Sequence, residues 1–180
     1  MPLPQERPYT EDDYYNLPED VRAELIDGQI YYQAAPSRIH QRILGDLFAA
    51  IYAYIKANGG SCEVYPAPFA VKLFADRKNI VEPDISVICD KNKLTDKGCT
   101  GAPDWIVEIV SSGSRRMDYF IKLFKYRSAG VREYWIVDPD KNRILVYNFE
   151  SEDTGDYSFS DSIKAGIYPD LFIDFSQLNI

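Results

Sequence analysis

The segment that most restricts this chain is Trp105-Ile106-Val107-Glu108-Ile109-Val110, in which five of six residues are apolar. A run this short, without polar alternation, is the pattern of a strand buried on both faces of a sheet. Such a strand needs covering layers on both sides, so the chain is expected to build a sheet with helices against it. Glu108 sits in the middle of that run, where a carboxylate is costly unless a cation or hydrogen-bond donors compensate it. A second acid, Asp84, opens the apolar run Ile85-Ser86-Val87-Ile88 directly after Pro83. Neighbouring strands lie about 4.8 Å apart, so on adjacent strands both carboxylates would reach one ion. An all-oxygen pair suits Mg²⁺, which takes one or two carboxylates and keeps waters for the rest. Against this stands a plainer reading of Glu108, facing solvent at a sheet edge or pairing with a lysine. Asp104 cannot share the ion, because four residues along a strand span about 13 Å. Pro103-Asp104 reads as the loop leading into the strand.

The rest of the chain supplies layers for such a sheet. Thr10 opens a short acidic helix, with Tyr9 and Tyr14 placed to staple its start. Strands over Arg22–Ile26 and Gln29–Gln33 meet at Asp27-Gly28, a preferred two-residue hairpin turn. Pro36-Ser37 then caps a long helix. Ile39, Ile43, Leu44, Leu47, Phe48, Ile51 and Ile55 recur at helical spacing until Asn58-Gly59-Gly60 ends it. Strand-like runs follow at Cys62–Tyr65, Phe69–Phe74 and Asp84–Cys89. A second helix is expected over Arg115–Ala129, ending at Gly130, and then a hairpin of Val131–Val137 and Ile144–Phe149. One or two short strands and a last turn at Asp174 complete an α/β or α+β chain of a single domain over residues 1–180.

Composition excludes several classes of function. No apolar run approaches the roughly 18 residues of a membrane span, and the acids among residues 1–20 argue against a secretory signal. Cys62, Cys89 and Cys99 show no metal-binding spacing, and His40, the single histidine, cannot complete a zinc set with them. An odd count of cysteines without a signal fits free thiols in the cytoplasm. Gly98 to Gly101 matches no phosphate-binding loop, so no nucleotide cofactor is expected. With a net charge of −8, the chain lacks the broad basic surface of a non-specific nucleic-acid binder. A phosphate substrate would need a bound cation to approach it.

Taken in order, the motifs resemble the Uma-type restriction endonuclease family within the PD-(D/E)XK nuclease superfamily. The matching pieces begin with Glu24-Leu25-Ile26-Asp27-Gly28, His40 at the start of the long helix, and Glu82-Pro83-Asp84-Ile85. Pro103 to Ser111, then Asp118, Lys122 and Tyr126, and finally Ala129 to Pro139 follow, so that the likeness runs over about residues 9–175. The resemblance implies a restriction-endonuclease-like core, a mixed sheet flanked by helices, carrying a Mg²⁺- or Mn²⁺-dependent phosphodiesterase site. On it, Asp84 and Glu108 would hold the metal and Glu24 would join them directly or through a water. The superfamily's lysine belongs two residues after the glutamate, where this chain has Val110. The Uma-type pattern takes its amine from the next helix, which points to Lys122. Acids clustered at 24, 84 and 108 would repel one another without an ion.

Lys122 is weighed against an ordinary solvent-side pair with Asp118, because Met117, Ile121, Phe124 and Ser128 form the apolar helix stripe and Lys122 points nearly opposite. Tyr119, Leu123 and Tyr126 make a second stripe on its side; Lys125 is the lesser substitute. Candidate accessory residues are His40, Tyr126 and Arg115, the last a phosphate contact near the helix start. Ser111, Ser112 and Ser114 are read as caps or phosphate contacts and Glu133 as strand packing with a charge partner. The expectation is a metal-dependent endonuclease acting on DNA rather than RNA, as a homodimer by analogy. The alternative is a catalytically silent nuclease fold serving as a binding or assembly module, which Val110 and the acidic charge favour.

Overall fold

The computed structural model describes residues 7–178; Met1–Glu6, part of the acidic N-terminal stretch, lie outside the described residues. Helix α1 (Glu11–Tyr15) starts at Thr10 and leads into the hairpin β1 (Ala23–Ile26) and β2 (Gln29–Tyr32). Asp27 and Gly28 both take positive φ, 50° and 75°, the backbone that a two-residue turn of this hand demands. Helix α2 (Arg38–Asn58) follows, its first turn capped by the Ser37 side chain accepting from the His40 N–H. Then come β3 (Glu63–Pro66), β4 (Val71–Lys72), β5 (Ile80–Val81), β6 (Ile85–Ile88), β7 (Leu94–Thr95), β8 (Gly98–Thr100) and β9 (Trp105–Ile109). A π-helical turn, Met117–Lys122, runs directly into α3 (Leu123–Ala129), which Gly130 ends in the left-handed conformation. The hairpin β10 (Glu133–Asp138) and β11 (Arg143–Asn148) is extended by β12 (Asp153–Tyr157). A ribbon of β13 (Ser162–Lys164) and β14 (Phe172–Asp174) precedes a 3₁₀ turn at Phe175–Gln177.

Where the sequence led us to expect one mixed sheet, the strands form two of six strands each and the ribbon. The main sheet has the order β12-β11-β10-β9-β6-β3, with β9 and β10 parallel and every other pair antiparallel. The second has the order β2-β1-β5-β4-β8-β7. Its two-residue strands β4, β5 and β7 are too short to leave a periodic signal in sequence.

β9 is covered on both faces, as its composition demanded. Trp105, Val107 and Ile109 point into one core with Ile43, Leu47 and Ile51 of α2 and with Ile163, Ile173 and Phe175 near the ribbon. Ile106 and Val110 point the other way, into a core with Ile26, Val71 and Val81 of the second sheet and Tyr126 of α3. Glu108 shares this second face by strand alternation. The segment Glu82–Asp84 crosses from β5 in one sheet to β6 in the other, so Asp84 lies at the seam between them.

Two expectations need correction here. Cys62 and Cys89, directly beyond the last paired residues of β3 and β6, form a disulfide, and only Cys99 is free, buried in β8 of the second sheet. Strand pairing brought together cysteines 27 residues apart, which spacing does not foretell. The argument for the cytoplasm from free thiols thus narrows to Cys99. Among the described residues no cation hydrogen-bonds to Glu133, on which the neighbouring Arg132 acts only through its charge: it accepts from the N–H groups of Gly166 and Ile167 and from Trp135 Nε1, tying the turn after β13 to the main sheet. Among the described residues, no helix is long and apolar enough to cross a membrane. In the denatured protein, purified without reductant, one thiol per chain is expected to react with a maleimide; three would contradict the Cys62–Cys89 bond.

Candidate active site

The site is assembled at the seam from β1, α2, the start of β6, β9, the π-helical turn and α3. The β6–β9 register pairs Ile85 with Val107, and one step outward sets Asp84 opposite Glu108. The Asp84 N–H reaches Glu108 Oε2 at 3.4 Å, and Asp84 Oδ2 accepts from the Ile109 N–H at 2.7 Å. His40, one turn into α2, lies 3.1 Å from the same Oδ2 through Nε2. Glu24, in the fully buried β1, accepts from the Glu82 N–H at 2.8 Å, which ties the crossing segment to the second sheet.

Lys122 completes the group from the π-helical turn. Its Nζ lies 2.9 Å from Glu24 Oε1 and 2.9 Å from Glu108 Oε1, and 3.7 Å from Asp118 Oδ1. Tyr126 donates to Glu108 Oε1 at 2.6 Å, so that one oxygen holds two donors. The structure therefore brings together Glu24, Asp84, Glu108, Lys122, His40 and Tyr126. It does not bring in Arg115, which lies 3.4 Å from Asp138 and 3.2 Å from Asp140 at the β10–β11 turn. Lys125 pairs with Asp27 on the hairpin turn. Ser111 and Ser114 bond to each other across the turn before the helix.

The face assignment of the second helix changes in part: Met117 and Ile121 pack half-buried against the second core, but Phe124 and Ser128 do not. Phe124 is 69% exposed and Phe120 70%, whereas Asp118, Lys122 and Tyr126 are buried. Hydrophobicity underrated the other side because Lys122 and the acids neutralise one another, which lets charged side chains be buried there. Asp118, set aside in sequence as half of a surface pair, is the residue this reasoning missed. Its Oδ2 accepts from Ser114 Oγ at 2.5 Å, and its backbone carbonyl accepts from Tyr134 Oη at 2.9 Å. The i, i+4 spacing of Asp118, Lys122 and Tyr126 was the signal that could have found it.

Electrostatics follow from burial. Burial pushes the Glu108 carboxyl up, against the pull of Lys122 and with the help of Asp118, Asp84 and Glu24. Asp118 is raised by burial to about 6, again against Lys122. Burial alone would lower the Lys122 ammonium, but Glu108, Glu24 and Asp118 together outweigh it, and the group stays charged. Burial also opposes charge on His40, which its bond to Asp84 outweighs. The mutual repulsion expected among the acids is thus offset by an amine of the chain itself.

Among the described residues, no three Asp, Glu, His or Cys side chains close on one point tightly enough to cage a metal ion. An open site needs less, since Mg²⁺ works with one or two carboxylates plus waters and a substrate phosphate. The shorter bonds described fix Asp84 through Oδ2 and Glu24 and Glu108 through Oε1, while Glu108 Oε2 accepts a longer one, 3.4 Å, from the Asp84 N–H. Asp84 and Glu108, on paired strands, are the carboxylates that such an ion would use.

The family profile described as "Uma2: Putative restriction endonuclease" matches residues 11–172. The chain belongs to the Uma2 family. A crystal structure described as a "putative nuclease belonging to DUF820", from Anabaena variabilis, superposes with a TM-score of 0.78 at 22% identity, over 95% of this chain and 97% of that one. At that identity the likeness establishes the shared fold of the Uma2 chain. No curated protein matches the sequence.

Two outcomes are expected from this network. Lys122→Met leaves Glu24 and Glu108 buried without their cation and should cost about 3–5 kcal/mol in urea denaturation at pH 8. Asp118 is raised in the folded state, so the stability it contributes is full below about pH 4 and is lost as pH rises through about 6. The stability of Asp118→Asn relative to wild type should therefore rise between pH 4 and 7, by on the order of 2 kcal/mol. A difference that is flat with pH would contradict the burial of this carboxylate.

Proposed function

We propose that this Uma2 chain is a Mg²⁺- or Mn²⁺-dependent endonuclease that hydrolyses phosphodiester bonds, in DNA rather than RNA. The observation that carries the proposal is the juxtaposition of Asp84 and Glu108 at the end of paired strands, with the Lys122 ammonium 2.9 Å from Glu108. Membership of a family named for restriction endonucleases supports the reaction class. Asp84 and Glu108 would hold the ion, and Glu24 would bind it through a water. When bound, the ion would polarise the phosphate and lower the pKa of a coordinated water.

The chain's own groups have distinct parts in this reading. His40 and the Ile109 N–H orient Asp84, and Tyr126 orients Glu108. Lys122 supplies a fixed positive charge facing the negative charge that grows on the phosphoryl oxygens, in a site dry enough for that charge to count. Fixing these groups before substrate arrives removes the reorganisation cost from the chemical step. The chain carries a net charge of −8, so close approach of a polyanion depends on the cation. A homodimer cutting two strands is proposed by analogy with nucleases of this fold.

One observation favours a second reading, a silent nuclease fold that serves as a binding module. Glu24 and Glu108 already have a buried counter-ion in Lys122, so the fold does not depend on a metal to neutralise them. Calorimetric titration separates the two. Saturable Mn²⁺ binding in the wild type that is lost in Asp84→Ala, with Mg²⁺-dependent cleavage of DNA that falls to background in Glu108→Gln, is the expected result. DNA left intact at every Mg²⁺ and Mn²⁺ concentration, with no heat of metal binding, would favour the silent module.

A further inference from the structure

The Lys122 ammonium occupies the electrostatic centre where a divalent cation would have to work. It lies 2.9 Å from Glu108 Oε1, and the proposed ion would bind the same carboxylate, whose Oε2 accepts only a long 3.4 Å bond from the Asp84 N–H among the described residues. Two cations on one buried carboxylate repel strongly, because little solvent intervenes. Either the ion stays out or the ammonium gives ground. The structure provides a place for it to go. Asp118 Oδ1 stands 3.7 Å from Nζ, within ion-pair range but beyond hydrogen-bond length. Ser114 Oγ anchors the other oxygen, and the Tyr134 hydroxyl pins the residue's carbonyl, so Asp118 is held with Oδ1 toward the amine.

We propose that Asp118 is a positioning residue for the reaction: it is the second seat of the Lys122 ammonium, taken up when a divalent cation binds Asp84 and Glu108. This rests on the metal-dependent reading above. Without the ion, Lys122 bridges Glu24 and Glu108 and keeps the buried acids neutralised. With the ion, the amine shifts by about 1 Å toward Asp118, to the 2.7–2.9 Å of a charge-assisted hydrogen bond. There it stays beside the scissile phosphate as a fixed positive charge and no longer competes for Glu108. Asp118 thus sets the affinity for the ion through Lys122, without touching ion or substrate. The Ser114–Asp118 bond and the burial of Asp118 are what a fixed seat requires, whereas a merely solubilising acid would face outward.

The test is Mn²⁺ titration by calorimetry at pH 8 on wild type, Lys122→Met, Asp118→Asn and the double variant. Lys122→Met removes the competing charge and should bind Mn²⁺ at least about 10-fold more tightly. Asp118→Asn strands the amine on Glu108 and should bind at least about 10-fold more weakly. In the Lys122→Met background the Asp118→Asn effect should shrink to a small residue, since no amine is left to seat. An equal loss in both backgrounds overturns the proposal, because Asp118 would then act as a plain charge. Unchanged or weaker binding by Lys122→Met overturns it too, and leaves the metal-dependent reading standing.

If neither wild type nor Lys122→Met binds Mn²⁺, the metal-dependent reading falls and this inference with it. A second measurement needs only the native chain: a crystal structure grown with Mn²⁺. The Lys122 Nζ–Asp118 Oδ1 distance should close from 3.7 Å to hydrogen-bond length. An ion on Asp84 and Glu108 with Lys122 still bridging Glu24 and Glu108 would refute the seat even if the variants do not fold.

Discussion

The structure turns on one buried ammonium. Lys122 reaches Glu24 in the second sheet and Glu108 in the main sheet from a helical turn that belongs to neither. Each carboxylate alone would be prohibitively expensive where it sits, and each is tolerable only because the amine is shared. The contact therefore does more than balance charge. It fixes the angle at which the hairpin of β1 and β2, the strand β9 and the helix of Tyr126 come together. Apolar packing between the two sheets, through Ile26, Val81, Ile106 and Tyr134, supplies the bulk of the cohesion but would tolerate sliding. A charged pair inside that layer does not, since any shift strands an acid.

The same network holds the candidate site together through groups of the chain itself. Asp84 is held by the Ile109 N–H and His40, and Glu108 by Lys122 and Tyr126. These partners restrict the carboxylates to one geometry. The π-helical turn is a matching local device. Such turns are rare and concentrate at functional sites, and here one carries both Asp118 and Lys122. It buries two opposite charges side by side.

Much of this was legible in the sequence, for reasons that can be named. The doubly buried strand followed from an unbroken apolar run, the long helix from a 3.6-residue stripe and its serine cap, and the hairpin from Asp27-Gly28. The pair Asp84 and Glu108 stood out because acids inside apolar runs are anomalous on their own strands. Other features left no local trace. The burial of Lys122 contradicts the hydrophobic stripe of its own helix, where Phe120 and Phe124 face out. Asp118 resembles any surface partner of a lysine four residues away. The disulfide joins cysteines whose spacing carries no motif.

What the sequence by itself determined is what one strand or helix can state alone: which segments are strands, which helix is amphipathic, and which acids sit where acids are costly. What only the tertiary structure decided is which groups meet. The Asp84–Glu108 contact depends on the β6–β9 register, Lys122 on two sheets converging over one helical turn, and Cys62–Cys89 on β3 lying beside β6. Periodicity reports the direction in which a side chain leaves its own backbone, and it carries no information about what waits there. The energy of a buried charge is set almost wholly by that second fact, because its desolvation is met or unmet by groups far away in the chain.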